Sequence, residues 1–132
     1  CGNAPDETVQ AATRASKEPG VLVVADLIGV KNQGARARQC QDWGVDMVYL
    51  HYGADQRRAD ASRDSVQWLE EIKAAVTIPI GVGTFGVEDA VRAVAAGAAL
   101  GAIGHPVITG PDPLGALTDY GKRVRAAYRP RA

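Results

Sequence analysis

Four short apolar runs recur along this chain, and each one ends in a polar side chain or in glycine. They cover residues 21–30, 45–51, 78–83 and 100–105, and helix-like patterns separate them. Runs this apolar are typical of strands in a parallel sheet that is covered on both faces. Strands that alternate with helices predict an α/β fold with a parallel sheet and right-handed crossovers.

Two architectures satisfy this alternation. Helices are predicted before, between and after the strands, over residues 3–18, 34–43, 62–76, 87–96 and 112–128. A flavodoxin-like binding domain is a further alternative, and of the two architectures one is a small open α/β sheet. The other is part of a (β/α)₈ barrel, which needs roughly 200–250 residues and which four strands cannot close. In either case we expect residues 1–132 to form one domain.

The charge and composition of the chain limit which binding partners and which cellular compartment can be expected. The 132 residues carry 15 basic and 15 acidic side chains, so bulk charge predicts neither a nucleic-acid nor a membrane partner. No apolar run approaches the roughly 20 residues of a membrane span, and residues 1–20 lack the apolar stretch of a secretory signal. The two cysteines, Cys1 and Cys40, match no metal-site spacing. We therefore expect a cytoplasmic protein in which Cys40 is a small buried apolar residue.

The polar residues at the strand ends are the candidates for catalysis. Asp26 lies late in the first apolar run, where a charge needs a partner and where α/β folds place their chemistry. His51 ends the second run, and Asp55 follows four residues later with Gly53 between them. A histidine and a carboxylate that orients it can move a proton. The alternative is a histidine whose ring nitrogens only form structural hydrogen bonds at the start of a loop.

Glycine-rich segments after the third and fourth strands indicate an anion site. Gly83 and Thr84 follow one strand, and Gly104 and His105 follow the next. Backbone N–H groups and helix N-termini bind phosphate, and barrels often use the last two strand–helix loops for it. Tight turning alone would also explain the glycines. The adjacent Arg57 and Arg58 could neutralise a substrate phosphate or could simply be solvated.

These segments together resemble the family of 3-hexulose-6-phosphate synthase and 3-keto-L-gulonate-6-phosphate decarboxylase, within the orotidine monophosphate decarboxylase suprafamily. Residues 26–30 are similar to the family's fifth strand, and residues 45–55 to its sixth strand and H-x-G-x-D motif. Residues 81–83 and 103–110 are similar to its seventh and eighth strand ends, and residues 1–8 to the exit from its fourth strand. Gln56, Val82 and His105 depart from the usual residues at their positions. The D-x-K-x-x-D motif of the early strands is absent.

The resemblance implies the last four βα units of a TIM barrel, a parallel half-barrel. It implies an aldolase that joins ribulose 5-phosphate and formaldehyde through an enediolate stabilised by Mg²⁺, whose ligands we expect in the missing N-terminal half. His51, Asp26 and Asp55 would be catalytic, and Gly83, Thr84, Gly104 and His105 would hold the substrate phosphate. We expect a homodimer or pairing with the missing half, and no activity from the chain alone. A decarboxylase of the same family and a non-catalytic assembly module are the alternatives.

Overall fold

The computed structural model describes residues 2–63 and 65–129, and these form a parallel α/β sheet with six helices. The expectations for Cys1 and for the end of the predicted single domain lie outside the described residues. The four strands are β1 (Val24–Asp26), β2 (Met47–Leu50), β3 (Ile80–Thr84) and β4 (Leu100–Ile103). The helices are α1 (Asp6–Lys17), α2 (Gln33–Asp42), α3 (Ala54–Ala59), α4 (Leu69–Ala75), α5 (Val87–Ala95) and α6 (Pro113–Ala127).

The strands lie side by side in the order in which they occur in the sequence. All neighbouring pairs are parallel, with Asp26 opposite Tyr49, Tyr49 opposite Gly81, and Gly83 opposite Ala102. A flavodoxin-like sheet would reverse its strand order at a switch point, so the sequential order excludes that alternative. The carboxyl ends of all four strands therefore share one edge, as the sequence predicted.

The hydrophobic core lies between one face of the sheet and the helices. The strand residues on this face are fully buried, and they pack with small and aliphatic side chains of α2 and α4, such as Ala37, Cys40, Leu69 and Ile72. Cys40 is a buried apolar residue as expected, and burial raises the pKa of its thiol. The alternation of strand side chains places Val48, Leu50, Ile80 and Val82 on this covered face.

The other face of the sheet is not covered by the described residues, and here the sequence prediction of strands buried on both faces was wrong. Val24 is 50% exposed and Leu100 is 43% exposed, while Met47 and Tyr49 are half-buried. Register places these side chains on one surface together with Gly81. We call this surface the open face. Parallel sheets are normally covered on both sides, so an apolar open face is unusual in this class of fold.

The segment between β2 and β3 differs most from its prediction. The predicted helix over residues 62–76 is a 3₁₀ turn, Ser65–Trp68, followed by the shorter α4, and residue 64 lies outside the described residues. The buried Ser65 hydroxyl accepts a hydrogen bond of 2.9 Å from the Tyr52 backbone N–H, which holds this turn against the end of β2. Helix α3 was not predicted. Gln56 stabilises its start by accepting a 2.8 Å hydrogen bond from the Gly53 N–H.

Within the part of the chain that the structure describes, no helix combines the length and the apolar character that crossing a bilayer requires.

Candidate functional site

Asp26 and His51 form a hydrogen-bonded pair at the carboxyl edge of the sheet. Asp26 is the last residue of β1, and His51 directly follows β2, so parallel pairing brings them together. His51 Nδ1 lies 2.9 Å from Asp26 Oδ2, and Asp26 Oδ1 accepts a 2.9 Å hydrogen bond from the Ile28 N–H. A carboxylate beside Nδ1 makes that nitrogen the donor, which leaves Nε2 of a neutral ring as the acceptor. His51 is therefore oriented for proton transfer at Nε2.

The carboxylate that orients His51 is that of Asp26, and the expectation that Asp55 fills this role was wrong. The Asp55 side chain is 92% exposed, and its Oδ1 accepts a 2.7 Å hydrogen bond from Arg58 three residues later on α3. Asp55 begins a helix whose first turn points it towards solvent, whereas β1 and β2 are direct neighbours in the sheet. Asp55 borders an open pocket that His51 also lines, and a catalytic role for Asp55 stays a prediction.

A cleft of about 270 Å³ opens above the ends of β2, β3 and β4. Its lining includes His51 and every residue that the sequence predicted for phosphate binding: Gly83, Thr84, Gly104 and His105. The structure therefore brings the predicted proton-transfer residue and the predicted anion-binding residues into one cavity.

The two glycine-rich loops differ in the space and the hydrogen-bond donors that they provide for binding an anion. The buried Thr84 hydroxyl donates a 2.8 Å hydrogen bond to the Ala102 carbonyl, so its proton already has an acceptor within the sheet. Gly104 faces open space, since a Cβ there would meet nothing within 4 Å. The loop after β4 passes through a three-residue 3₁₀ turn, Val107–Thr109, before α6 begins at Pro113, as the sequence predicted. Gly104 therefore offers room for a ligand, whereas Thr84 mainly braces β3 against β4.

His105 is exposed at the rim of the cleft. Its Nδ1 lies 2.8 Å from the Thr109 hydroxyl, which also lies 3.2 Å from the Pro106 carbonyl. The Thr109 hydroxyl can donate its proton to either of these acceptors, and where it donates to His105 Nδ1 the outer ring nitrogen Nε2 carries a proton that it can donate. The outer nitrogen of the ring then remains available to a ligand.

Arg57 and Arg58 have different surroundings. The Arg57 guanidinium lies 4.6 Å above the Phe85 ring centroid, and its Nη1 lies 3.7 Å from Asp89 Oδ2 on α5. Arg57 thus connects α3 with the loop that follows β3. The Arg58 side chain is 80% exposed and pairs with Asp55 on its own helix. The structure leaves both the phosphate-binding and the solvated interpretations possible.

Tyr49 is one of the lining residues that sequence reasoning missed, and it lies next to His51. It lies inside an apolar run, which predicts a strand residue without a role in binding. In the structure it borders the cleft, and its ring meets the His51 ring edge-on with centroids 5.7 Å apart. Burial, and next the negative charge of Asp26, raise the pKa of the Tyr49 phenol. The period-2 alternation of a strand, which places residues 49 and 51 on one face, could have identified it.

The chain is similar to 3-hexulose-6-phosphate synthases in both sequence and structure. The synthase of Mycobacterium gastri is 34% identical over 56 residues, which are 42% of this chain and 27% of that protein. The crystal structure of the Salmonella typhimurium synthase superposes with a TM-score of 0.86 at 26% identity, over 96% of this chain and 60% of that one.

A second 3-hexulose-6-phosphate synthase structure gives a TM-score of 0.77 at 28% identity, over 97% of this chain and 59% of its own. The resemblance to the 3-hexulose-6-phosphate synthases is thereby confirmed. This chain spans about three fifths of the solved synthases and about a quarter of the Mycobacterium gastri synthase. No protein-family model matches it.

The described part of the chain does not provide the set of ligands that the Mg²⁺ ion implied by the resemblance would need. Residues 2–63 and 65–129 contain no group of three or more histidine, cysteine, aspartate or glutamate side chains placed to hold a metal ion. Mg²⁺ requires near-octahedral coordination by oxygen atoms. Asp26, which pairs with the cleft residue His51, already accepts hydrogen bonds at both of its oxygens. The described residues therefore do not form a magnesium site by themselves.

Proposed function

We propose that this chain is the phosphate-binding half of an aldolase similar to 3-hexulose-6-phosphate synthase, built as the last four βα units of a (β/α)₈ barrel. The observation that carries the proposal is the cleft that His51, paired with Asp26, lines together with the glycine loops after β3 and β4. The similarity to synthases over nearly the whole of this chain supports the choice of reaction.

The open face supports the half-barrel. In a closed barrel this surface would line the interior and would be filled by side chains from all the strands. Here it carries the exposed Val24 and Leu100, at the two outer strands of the sheet. Leu114 on α6 is also 77% exposed, which suits a helix that lacks a neighbour. A complementary half would cover all three side chains, and so would a second copy of this chain.

The proposed reaction forms one carbon–carbon bond. A proton leaves C1 of ribulose 5-phosphate, the resulting enediolate carbon attacks the formaldehyde carbon, and the former aldehyde oxygen takes up a proton. His51 Nε2 is placed to accept the first proton and to supply the second, so the residue ends the cycle unchanged. Asp26 stabilises the protonated imidazole in between. The backbone around Gly83 and Gly104, with His105, holds the phosphate.

Reconstitution tests this function. The chain is mixed with the N-terminal half of the Salmonella typhimurium synthase, and formaldehyde consumption that depends on ribulose 5-phosphate is measured. We expect activity from the mixture and none from either half alone, and His51→Ala should abolish it. Arg38→Ala is the matched control, because Arg38 is exposed on α2 and does not line the cleft. Full activity of the chain alone, or unchanged turnover with His51→Ala, would contradict the proposal.

A further inference from the structure

Tyr49 occupies the centre of the open face, between the proton-transfer pair and the proposed phosphate loops. On β2 it lies opposite Asp26 of β1 on one side and opposite Gly81 of β3 on the other. Its ring meets the His51 ring edge-on, and it lines the cleft together with Gly83 and Gly104. A ligand that spans from His51 to the glycine loops must therefore pass over Tyr49.

Two glycines on β3 make room for the Tyr49 side chain. A Cβ on Gly81 would lie 2.8 Å from Tyr49 Cδ2, and a Cβ on Gly83 would lie 2.8 Å from the Tyr49 hydroxyl oxygen. Any larger residue at either position would displace the ring. The glycines therefore do more than allow a turn, because they let a phenol lie flat along the sheet with its hydroxyl beside the proposed anion loop.

The Tyr49 hydroxyl is available to a ligand. The hydrogen bonds among residues 2–63 and 65–129 include the hydroxyls of Tyr52 and Tyr120, which donate to backbone carbonyls, but not that of Tyr49. Burial raises the pKa of the Tyr49 phenol, so at neutral pH the group is protonated and can donate. A neutral phenol can donate this proton to a hydroxyl or carbonyl oxygen of a ligand.

We propose that Tyr49 is a ligand-binding residue of this cleft, whose hydroxyl donates a hydrogen bond to a hydroxyl or carbonyl oxygen of the bound sugar phosphate. The proposal rests on the proposed function for the class of ligand. It adds a contact to the carbon chain of the sugar, whereas Gly83, Gly104 and His105 would contact the phosphate. Tyr49 would then help to distinguish a sugar phosphate from inorganic phosphate.

Calorimetric titration with two probes, ribulose 5-phosphate and inorganic phosphate, tests the contact. Tyr49→Phe removes only the hydroxyl and keeps the ring that the glycines accommodate. We expect it to weaken ribulose 5-phosphate binding about 3- to 10-fold, the effect of one neutral hydrogen bond, and to leave phosphate binding unchanged. Tyr120→Phe is the matched control, because its hydroxyl bonds to the Gly101 carbonyl away from the cleft, and it should change neither affinity.

Tyrosine labelled with ¹³C at Cζ gives a second measurement that a purely structural role would not affect. The resonance that disappears in Tyr49→Phe should shift when ribulose 5-phosphate is added to the wild-type chain and should respond less to phosphate. Equal ribulose 5-phosphate affinity in wild type and Tyr49→Phe would overturn the Tyr49 contact and leave the proposed function standing. Equal loss of both ligands in a folded variant would also overturn it. A wild-type chain that binds neither probe would refute both proposals.

Discussion

The contact between Tyr49 and Gly81 allows a stability prediction in which the same substitution has opposite signs in two backgrounds. Gly81→Ala places a methyl carbon 2.8 Å from Tyr49 Cδ2, about 0.7 Å inside the best carbon–carbon distance. Overpacking of this kind costs about 1–3 kcal/mol. Alanine in a strand also gains about 0.5–1 kcal/mol over glycine. The net effect in the wild-type background should be a destabilisation of about 1 kcal/mol and at most about 2.5 kcal/mol.

In a Tyr49→Ala background the clash is absent, and only the alanine gain remains. Gly81→Ala should then stabilise the protein by about 0.5–1 kcal/mol. Two near contacts remain, 3.2 Å to Leu100 Cδ2 and 3.4 Å to Met47 Sδ, and the Leu100 side chain is 43% exposed and can move aside. The two single substitutions and the double one form a cycle whose coupling energy reports the Tyr49–Gly81 contact.

Urea denaturation followed by fluorescence of Trp43 and Trp68 measures the four free energies of unfolding by linear extrapolation. Gly121→Ala is the control. It lies in α6 with nothing within 4 Å of its added Cβ, so it should stabilise both backgrounds by a similar amount, about 1 kcal/mol. A Gly81→Ala effect of the same sign and size in both backgrounds would show that Tyr49 does not lie against Gly81.

Two further predictions concern association and alkaline pH. The chain alone should associate, because the open face exposes Val24 and Leu100. Val24→Lys should therefore lower the apparent mass that light scattering measures. A wild-type chain that is monomeric at high micromolar concentration would contradict this prediction. Burial raises the pKa of the Tyr49 phenol in the folded state, so the folded chain holds that proton more tightly than the unfolded chain. The contribution of Tyr49 to stability should therefore be full below pH about 10 and fall above it. Tyr49→Phe should lose less stability over that range in urea titrations, and an identical pH dependence would argue against a buried phenol.

The strand positions and the shared carboxyl edge were predictable from the sequence, because they depend on local apolar runs and on the geometry of parallel sheets. Asp26 and His51 were both identified as strand-end residues in this way. Their mutual pairing was not identified, since it depends on β1 and β2 being neighbours, and the nearer carboxylate in sequence, Asp55, was chosen instead. Sequence distance is a poor guide where a helix begins between two residues and carries one of them outwards.

The open face and Tyr49 were missed for a common reason. An apolar run shows that a strand is hydrophobic, but it does not show which of its faces the rest of the chain will cover. Residues 21–30 therefore predicted a strand buried on both sides, whereas Val24 is half exposed. Tyr49 was counted among apolar strand residues, although its hydroxyl makes it one of the polar groups of the cleft. The room made by Gly81 and Gly83 appears only once β2 and β3 are in register.

A map of where ribulose 5-phosphate binds tests the central claim most directly. The folded, ¹⁵N-labelled chain is titrated with ribulose 5-phosphate, and the amide shifts are followed residue by residue. The account predicts that the largest shifts occur at Gly83, Gly104 and His51, which border one cleft, while Gly34 at the start of α2 stays unchanged. Shifts confined to α1, α2 or α6, with none at Gly83, Gly104 or His51, would contradict the account.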